Sequence, residues 1–200
     1  MNIDWNYLWT AFGITGGIAT FYFGFEARKF ARNKNRYSWQ DIDQASRALG
    51  IYLKRHFKPD VVICFSGPSA IVANLAMETA AFCAPVIIIS TRRRTRKGFD
   101  LYEKLDDIEV ITSTKWVLSV PKLLFCFSSS KVCIVEDAII TGDSLLLIKA
   151  LLLKKGFRSD LIKTYAVICT QVAKDADKAS DKAYFHTTDT EFYFPWGKGG

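Results

Sequence analysis

The stretch VCIVEDAIITGDSLLLIKALLLKKG, from Val132 to Gly156, constrains the fold of this chain more than any other. A short β-branched run meets two adjacent acids, Glu136 and Asp137. A Thr/Gly/Ser loop follows. The leucine-rich segment Ser144 to Lys155 then reads as a helix, closed by Gly156 at its C′ position. Two neighbouring carboxylates at the end of a buried strand cost free energy unless something pairs with them. In a parallel sheet, the carboxyl ends of the strands are where ligands collect.

The segments around this unit repeat its alternation. Ser38, with Asp41 three places on, is a capping signal. Ile42, Ala45, Leu49 and Leu53 then recur at helical spacing, so a helix is predicted from Trp39 to His56, stopped by Pro59. Asp60 to Phe65 and Pro85 to Ser90 read as buried strands, with a helix between them after the turn SGPS. About forty residues separate Ser90 from Val132. A connection that long is expected to be functional or to carry strands of its own, and IEVIT with KWVLSV suits a hairpin. Lys163 to Cys169 is a further strand, KDADKASDK a polar loop, and TEFYFPWGKGG an aromatic, irregular tail. Strands alternating with helices predict an α/β domain: a mostly parallel sheet with helices on both faces.

The first residues have a different character. Trp5 to Phe25 holds no charged residue across 21 positions. As a helix this is long enough for the ~30 Å hydrocarbon core of a bilayer. Aromatic residues mark both of its ends. Arg28, Lys29, Arg32, Lys34 and Arg36 follow at once. This pattern predicts one transmembrane helix, with the N-terminus outside and the remainder cytoplasmic. The expected organisation is therefore residues 1–27 as a membrane anchor, 28–36 as a basic juxtamembrane linker, and 37–200 as the folded domain. Gly13, Gly16 and Gly17 offer a close-packing face in lipid, which suits a homo-oligomer.

The formal charge of +7 comes from two runs: the linker, and Arg92-Arg93-Arg94-Thr95-Arg96-Lys97. Elsewhere basic and acidic residues nearly balance, so the broad basic face of a nucleic-acid binder is absent and no nucleic-acid partner is expected. Of the five cysteines, four lie in apolar runs and none forms a C-x-x-C pair. The only histidines are His56 and His186. Buried reduced thiols are expected rather than disulfides or a zinc site.

The loop Ile140-Thr141-Gly142-Asp143-Ser144 has the chemistry of a phosphate cradle. Unpaired N–H groups at a helix start carry partial positive charge, Gly142 lets a backbone come close, and Thr141 and Ser144 add hydroxyls. The two carboxylates repel that phosphate but accept hydrogen bonds from neighbouring sugar hydroxyls. A ribose 5-phosphate unit satisfies both halves.

On these residues the chain resembles the type I phosphoribosyltransferases, whose donor motif is a hydrophobic strand, an acidic pair, two apolar residues and a Thr/Gly-rich phosphate loop. Glu136, Asp137, Ile139, Thr141, Gly142 and Ser144 fit it; Cys133, Ala138 and Ile140 depart from common choices. SWQDI and KPDVVICFSGPSAIVANLA look like the opening helix, strand and first substrate loop of the xanthine-guanine-like branch. TEFYFPW is similar to that branch's hood, so the resemblance spans about Tyr37 to Trp196.

The resemblance implies transfer of phosphoribose from phosphoribosyl pyrophosphate to a nucleobase, purine-like by preference, with Mg²⁺ as cofactor. Glu136, Asp137 and Asp143 are its implied catalytic residues, and Glu136 and Asp137 the metal-side acids. Ser66, Gly67 and Ser69, with Arg92, Arg93 and Arg94 at the start of a mobile loop, would meet pyrophosphate. Thr170, Phe192, Tyr193 and Trp196 would meet the base. The chain also departs from the family. Its first loop lacks the usual cation, Ile140 stands where purine-specific members often place an aspartate base, and Thr170 stands near a common lysine. Two functions remain open on sequence: a membrane-anchored phosphoribosyltransferase, or a related module that binds a nucleotide or phosphoribosyl pyrophosphate as sensor or effector. The basic run at Arg92 could equally be a solvated or lipid-facing patch.

Overall fold

A computed structural model describes residues 36–65, 67–93 and 106–199. The transmembrane reading and most of the linker lie outside these residues. Among the described residues no helix is long and apolar enough to cross a membrane.

The first helix, α1 (Trp39–His56), starts where the sequence predicts. Ser38 Oγ accepts from the Asp41 N–H at 3.2 Å, and the Asp41 carboxylate accepts from the Ser38 N–H at 2.7 Å, a complete capping box. Strand β1 (Val61–Cys64) is fully buried. Helix α2 (Gly67–Ala80) follows, then β2 (Val86–Ile88). At Ile89 the chain leaves the main sheet and enters β3 (Ser90–Arg93). The hairpin foreseen in the long connection is present as β4 (Ile108–Thr112) and β5 (Trp116–Pro121). Strand β6 (Val132–Ile139) leads to α3 (Asp143–Lys154), and β7 (Ile162–Thr170) to the short α4 (Gln171–Asp175). Strands β8 (Lys182–Thr187), β9 (Phe192–Phe194) and β10 (Gly197–Gly199) complete the chain.

The main sheet is wholly parallel in the order β2-β1-β6-β7-β8. Strands β3, β5 and β4 form a second, antiparallel sheet, and β9 with β10 a terminal hairpin. Each face of the main sheet carries its own core. Val61, Ile63, Val132 and Ile134 pack under α3 and β5, against Leu145, Ile148, Leu152 and Leu118. Val62, Cys64, Cys133 and Val135 pack under α1 and α2, with Phe192 and Phe194 of the terminal hairpin. The predicted two-sided α/β layering is therefore observed. Helices α1 and α2 approach closely at Gly50, where a Cβ would lie 2.3 Å from the Ala76 carbonyl oxygen.

Candidate functional site

Strand β6 is central, and its two edges end at different places. Its ladder to β1 stops at Cys64 opposite Val135, whereas its ladder to β7 runs on to Ile139 opposite Cys169. Glu136 and Asp137 therefore lie near the end of β6, as the sequence predicts, on a stretch that among the described residues is paired along one edge only. The Asp137 N–H donates to Ser69 Oγ at 3.2 Å in place of a strand partner. Here the alternation of faces slips by one residue. Ala138 and Ile168 pack with Cys133, Val135 and Val167, while Ile139 and Cys169 pack on the opposite core. Both strands slip at matching positions, so the pair stays in register.

The two acids meet different surroundings. Asp137 is well satisfied. Ser69 Oγ, in the first turn of α2, donates to its Oδ1 at 3.1 Å, and the Ala138 N–H and the Trp196 indole N–H also bond its carboxylate. Burial raises its pKa, and these donors oppose the rise. Glu136 is only 7% exposed and its Oε1 has no hydrogen-bond partner. Burial pushes its pKa well up, and the neighbouring Asp137 charge adds to that. Cys64 sits below both acids. Burial first, then Glu136 and Asp137, push its thiol up to about 12, so it is an inert core thiol. Cys133 and Cys169 are likewise buried and free.

The loop after β6 is built as a helix start. Gly142 takes a left-handed conformation, φ +69°, and its carbonyl accepts the first bond of α3, from the Leu146 N–H at 3.0 Å. Thr141 is exposed, Ser144 half-buried, and Ile140 packs against the α1/α2 core. Asp143 heads α3, but its carboxylate is held by two lysines. Lys178 Nζ lies 2.6 Å from Oδ1 and Lys115 Nζ 3.3 Å from Oδ2. The Lys178 hydrogen bond chiefly, with Lys115 assisting, depresses the Asp143 pKa. Asp143 is therefore an ion-paired carboxylate and not a free base.

The remaining sequence-predicted residues divide. Ser66 and Arg94 lie outside the described residues. Gly67 and Ser69 belong to the first turn of α2, and Ser69 serves Asp137. Arg92 and Arg93 are in strand β3, and the Arg93 guanidinium sits 5.9 Å from the centre of the Trp116 ring. Thr170 is buried. Its hydroxyl donates to the Ile140 carbonyl at 2.6 Å and accepts from the Ala173 N–H, capping α4. Phe192 is 1% exposed and part of the core. Trp196 stacks on Phe194 at 4.8 Å and meets Trp39 edge-on at 5.6 Å. Tyr193 is half-buried, and its carbonyl accepts from the Tyr37 N–H at 2.8 Å, tying the start of the domain to the hairpin. Lys115 and Lys178 went unnoticed in the sequence. Each lies in a polar turn that reads as ordinary solvated charge.

A separate groove of about 380 Å³ runs between the β4–β5 turn and α3, lined by Thr114, Lys115, Trp116, Asp143, Leu146 and Leu147. Among the described residues no three His, Cys, Asp or Glu side chains converge as a metal cage.

This arrangement is a known one. The chain has the fold of solved phosphoribosyltransferases. A purine phosphoribosyltransferase from Pyrococcus horikoshii superposes with a TM-score of 0.59 over 83% of this chain and 95% of its own, at 20% identity. A hypoxanthine-guanine phosphoribosyltransferase from Bacillus anthracis gives 0.53 over 74% and 77%, at 15% identity. A Neisseria gonorrhoeae protein solved with bound ppGpp gives 0.56 over 81% and 89%, at 17% identity. No family model matches the sequence, and no curated protein matches it either. At such identities the likeness fixes the fold, and the chemistry rests on the residues above.

Proposed function

We propose that the chain is a phosphoribosyltransferase that carries 5-phosphoribose from phosphoribosyl pyrophosphate to a purine-like nucleobase. The observation that carries this reading is the unpartnered, buried Oε1 of Glu136 at the carboxyl end of the central strand. A buried acceptor without a donor costs stability. A sugar hydroxyl supplies that donor, and the start of α3 lies three loop residues beyond β6 to take the sugar's phosphate. The solved purine and hypoxanthine-guanine phosphoribosyltransferases of this fold support the same substrate class.

The acids also suit Mg²⁺ that arrives with the diphosphate. Such an ion takes one or two carboxylates and completes its shell with substrate oxygens and water, so no protein cage of three is needed. Glu136 and Asp137 are the residues that would face it. An ion held by them would supply charge neutralisation for the departing diphosphate. Asp137, fixed by Ser69 and Trp196, would orient what meets it, and Trp196 brings the terminal hairpin beside the acids, where it would exclude water.

Membrane anchoring completes the proposal. It rests on the uncharged Trp5–Phe25 segment and the basic residues after it, a pattern that supports an N-terminus outside and a cytoplasmic domain. The SGPS loop and the Pro195-Trp196 hood support a likeness to the xanthine-guanine-like branch.

One observation favours a second reading, a binding module that senses a nucleotide or phosphoribosyl pyrophosphate. Asp143, the acid nearest the position where Ile140 stands in place of a base, is held in ion pairs by Lys115 and Lys178. The ppGpp-bound Neisseria gonorrhoeae protein supports a nucleotide as occupant of this fold.

Titration calorimetry of the full chain with phosphoribosyl pyrophosphate and Mg²⁺, followed by diphosphate release with a panel of bases, tests both. Binding with turnover on a purine establishes the transferase; binding without turnover on any base establishes the module. Binding that survives Glu136→Ala with Asp137→Ala overturns the pocket and both readings with it.

A further inference from the structure

The loop after β6 is held by the connection between β7 and β8, and one residue makes most of the contacts. A Cβ added to Gly142 would lie 2.2 Å from the Lys178 carbonyl oxygen and 2.5 Å from Lys178 Cβ. The glycine is therefore required by Lys178 as well as by its left-handed φ. Lys178 in turn is fixed by its own N–H, which donates to the Ala173 carbonyl at 2.8 Å and closes α4. Its ammonium then reaches back to Asp143 Oδ1 at 2.6 Å, and both side chains are largely shielded, at 31% and 20% exposure. Thr170, at the other end of the same connection, holds Ile140 through a 2.6 Å hydrogen bond. The loop is thus gripped at Ile140, Gly142 and Asp143 from one neighbouring segment. Lys115 reaches Asp143 from the β4–β5 turn, but at 3.3 Å and 71% exposure its pair is the weaker one.

We propose that Lys178 is a positioning residue for the phosphate loop. Through Gly142 and Asp143 it fixes the direction of the backbone N–H groups of Thr141 to Ser144, and it does so without touching the ligand. Asp143 accordingly serves to anchor the loop and takes no part in moving a proton. The inference rests on the reading of this loop as the phosphate site. Free N–H groups at a helix start bind an oxyanion well only when they already converge. If releasing the latch leaves about a tenth of the molecules with a competent loop, apparent affinity falls about tenfold.

Hydrogen–deuterium exchange of the full chain, read on peptides covering 140–146, reports the latch with no ligand present. Calorimetry with phosphoribosyl pyrophosphate and Mg²⁺ reports its consequence. Lys178→Met is expected to speed exchange in that peptide while β1 and β6 stay protected, and to raise Kd about tenfold. Lys178→Arg restores both; Lys115→Met changes either one little. Asp143→Asn, which keeps the Gly142–Lys178 contact, reproduces the Lys178→Met exchange if that variant folds poorly. Unchanged exchange in both Lys178→Met and Asp143→Asn overturns the proposal. So does weakened binding with unchanged exchange, which would make Lys178 a direct ligand contact. If the loop loosens as expected but the wild-type chain binds no phosphoribosyl pyrophosphate, the latch stands and the assignment of its ligand fails.

Discussion

Replacing Glu136 with methionine should stabilise the free protein and destroy its function. The wild-type side chain is 7% exposed and its Oε1 accepts nothing, whereas methionine has nearly the same volume and no polar oxygen. Removing a buried unsatisfied acceptor recovers about 2 kcal/mol. In a domain of this size that raises Tm by about 4–8 °C. The gain depends on pH, and its sign follows from the raised pKa of Glu136. Below the ordinary carboxyl value of 4.5 both folded and unfolded chains carry the proton, and the charge costs nothing. Above it the unfolded chain releases the proton while the folded one keeps it. Wild-type stability therefore falls as pH rises from 4.5 towards the elevated folded value, then levels off. Glu136→Met removes that slope. Urea unfolding of both proteins from pH 4 to 8 measures the difference, which should widen with pH. Added phosphoribosyl pyrophosphate and Mg²⁺ should raise the wild-type Tm and leave that of the variant where it was. A variant less stable than wild type at pH 7, or a difference that does not change with pH, refutes the reasoning. Either result would mean that Glu136 has a partner in the free protein.

Ser69→Ala removes both bonds between α2 and Asp137, at 3.1 and 3.2 Å, from a buried site. It should cost about 1–3 kcal/mol in urea unfolding at pH 7 and raise the Asp137 pKa further; a neutral result would show that the other donors suffice. Gly50→Ala places a methyl 2.3 Å from the Ala76 carbonyl oxygen and 2.9 Å from Thr79 Cβ, where α1 crosses α2. Alanine gains about 1 kcal/mol in helix propensity, but the forced separation of two helix backbones costs about 1–3 kcal/mol. A net loss in the urea midpoint is expected, and a more stable variant would contradict the close crossing.

The parts of the fold that were legible in the sequence are those decided locally. Helix α1 begins at Trp39 because Ser38 and Asp41 satisfy each other's backbone groups, and that signal is complete within four residues. Strands β1, β6 and β7 are buried on both faces, and the apolar runs at 61–64, 132–135 and 165–169 say so. Strand β3 was illegible because SerThrArgArg has no strand signature of its own. It is extended because Thr91 and Arg92 pair with Leu118 and Val117 of β5. Strand β8 is an edge with every second residue exposed, and Lys182 to Thr187 mixes apolar and polar residues directly after a polar loop, which leaves no distinct strand signal. The aromatic tail looked irregular, yet Phe192 and Phe194 enter the core, and that face is set by α1 and Tyr37. The acidic pair and the glycine loop were legible as a site because unpaired charge has no place in a core. Their partners were not, since Ser69 lies 68 positions from Asp137 and Lys178 lies 35 from Asp143.

The departures from local rules gather at the end of β6, which bears on where function lies. The phase slip, the unpaired edge, the unpartnered Glu136 oxygen and the left-handed Gly142 fall within seven residues, from Glu136 to Gly142. Elsewhere the irregularities have ordinary structural causes. Lys58 and Ala81 take positive φ where α1 and α2 end, a usual helix stop. Asp177 takes positive φ immediately before Lys178, where the chain must turn to reach Gly142. A sequence that leaves a buried carboxylate wanting a donor at a strand end holds destabilisation where a ligand can relieve it. Selection for stability alone would replace Glu136, since an apolar residue fits better. On the proposed reading its presence is explained by a sugar hydroxyl that it binds, and the adjoining helix start, gripped by Lys178, suits a ligand that also carries a phosphate.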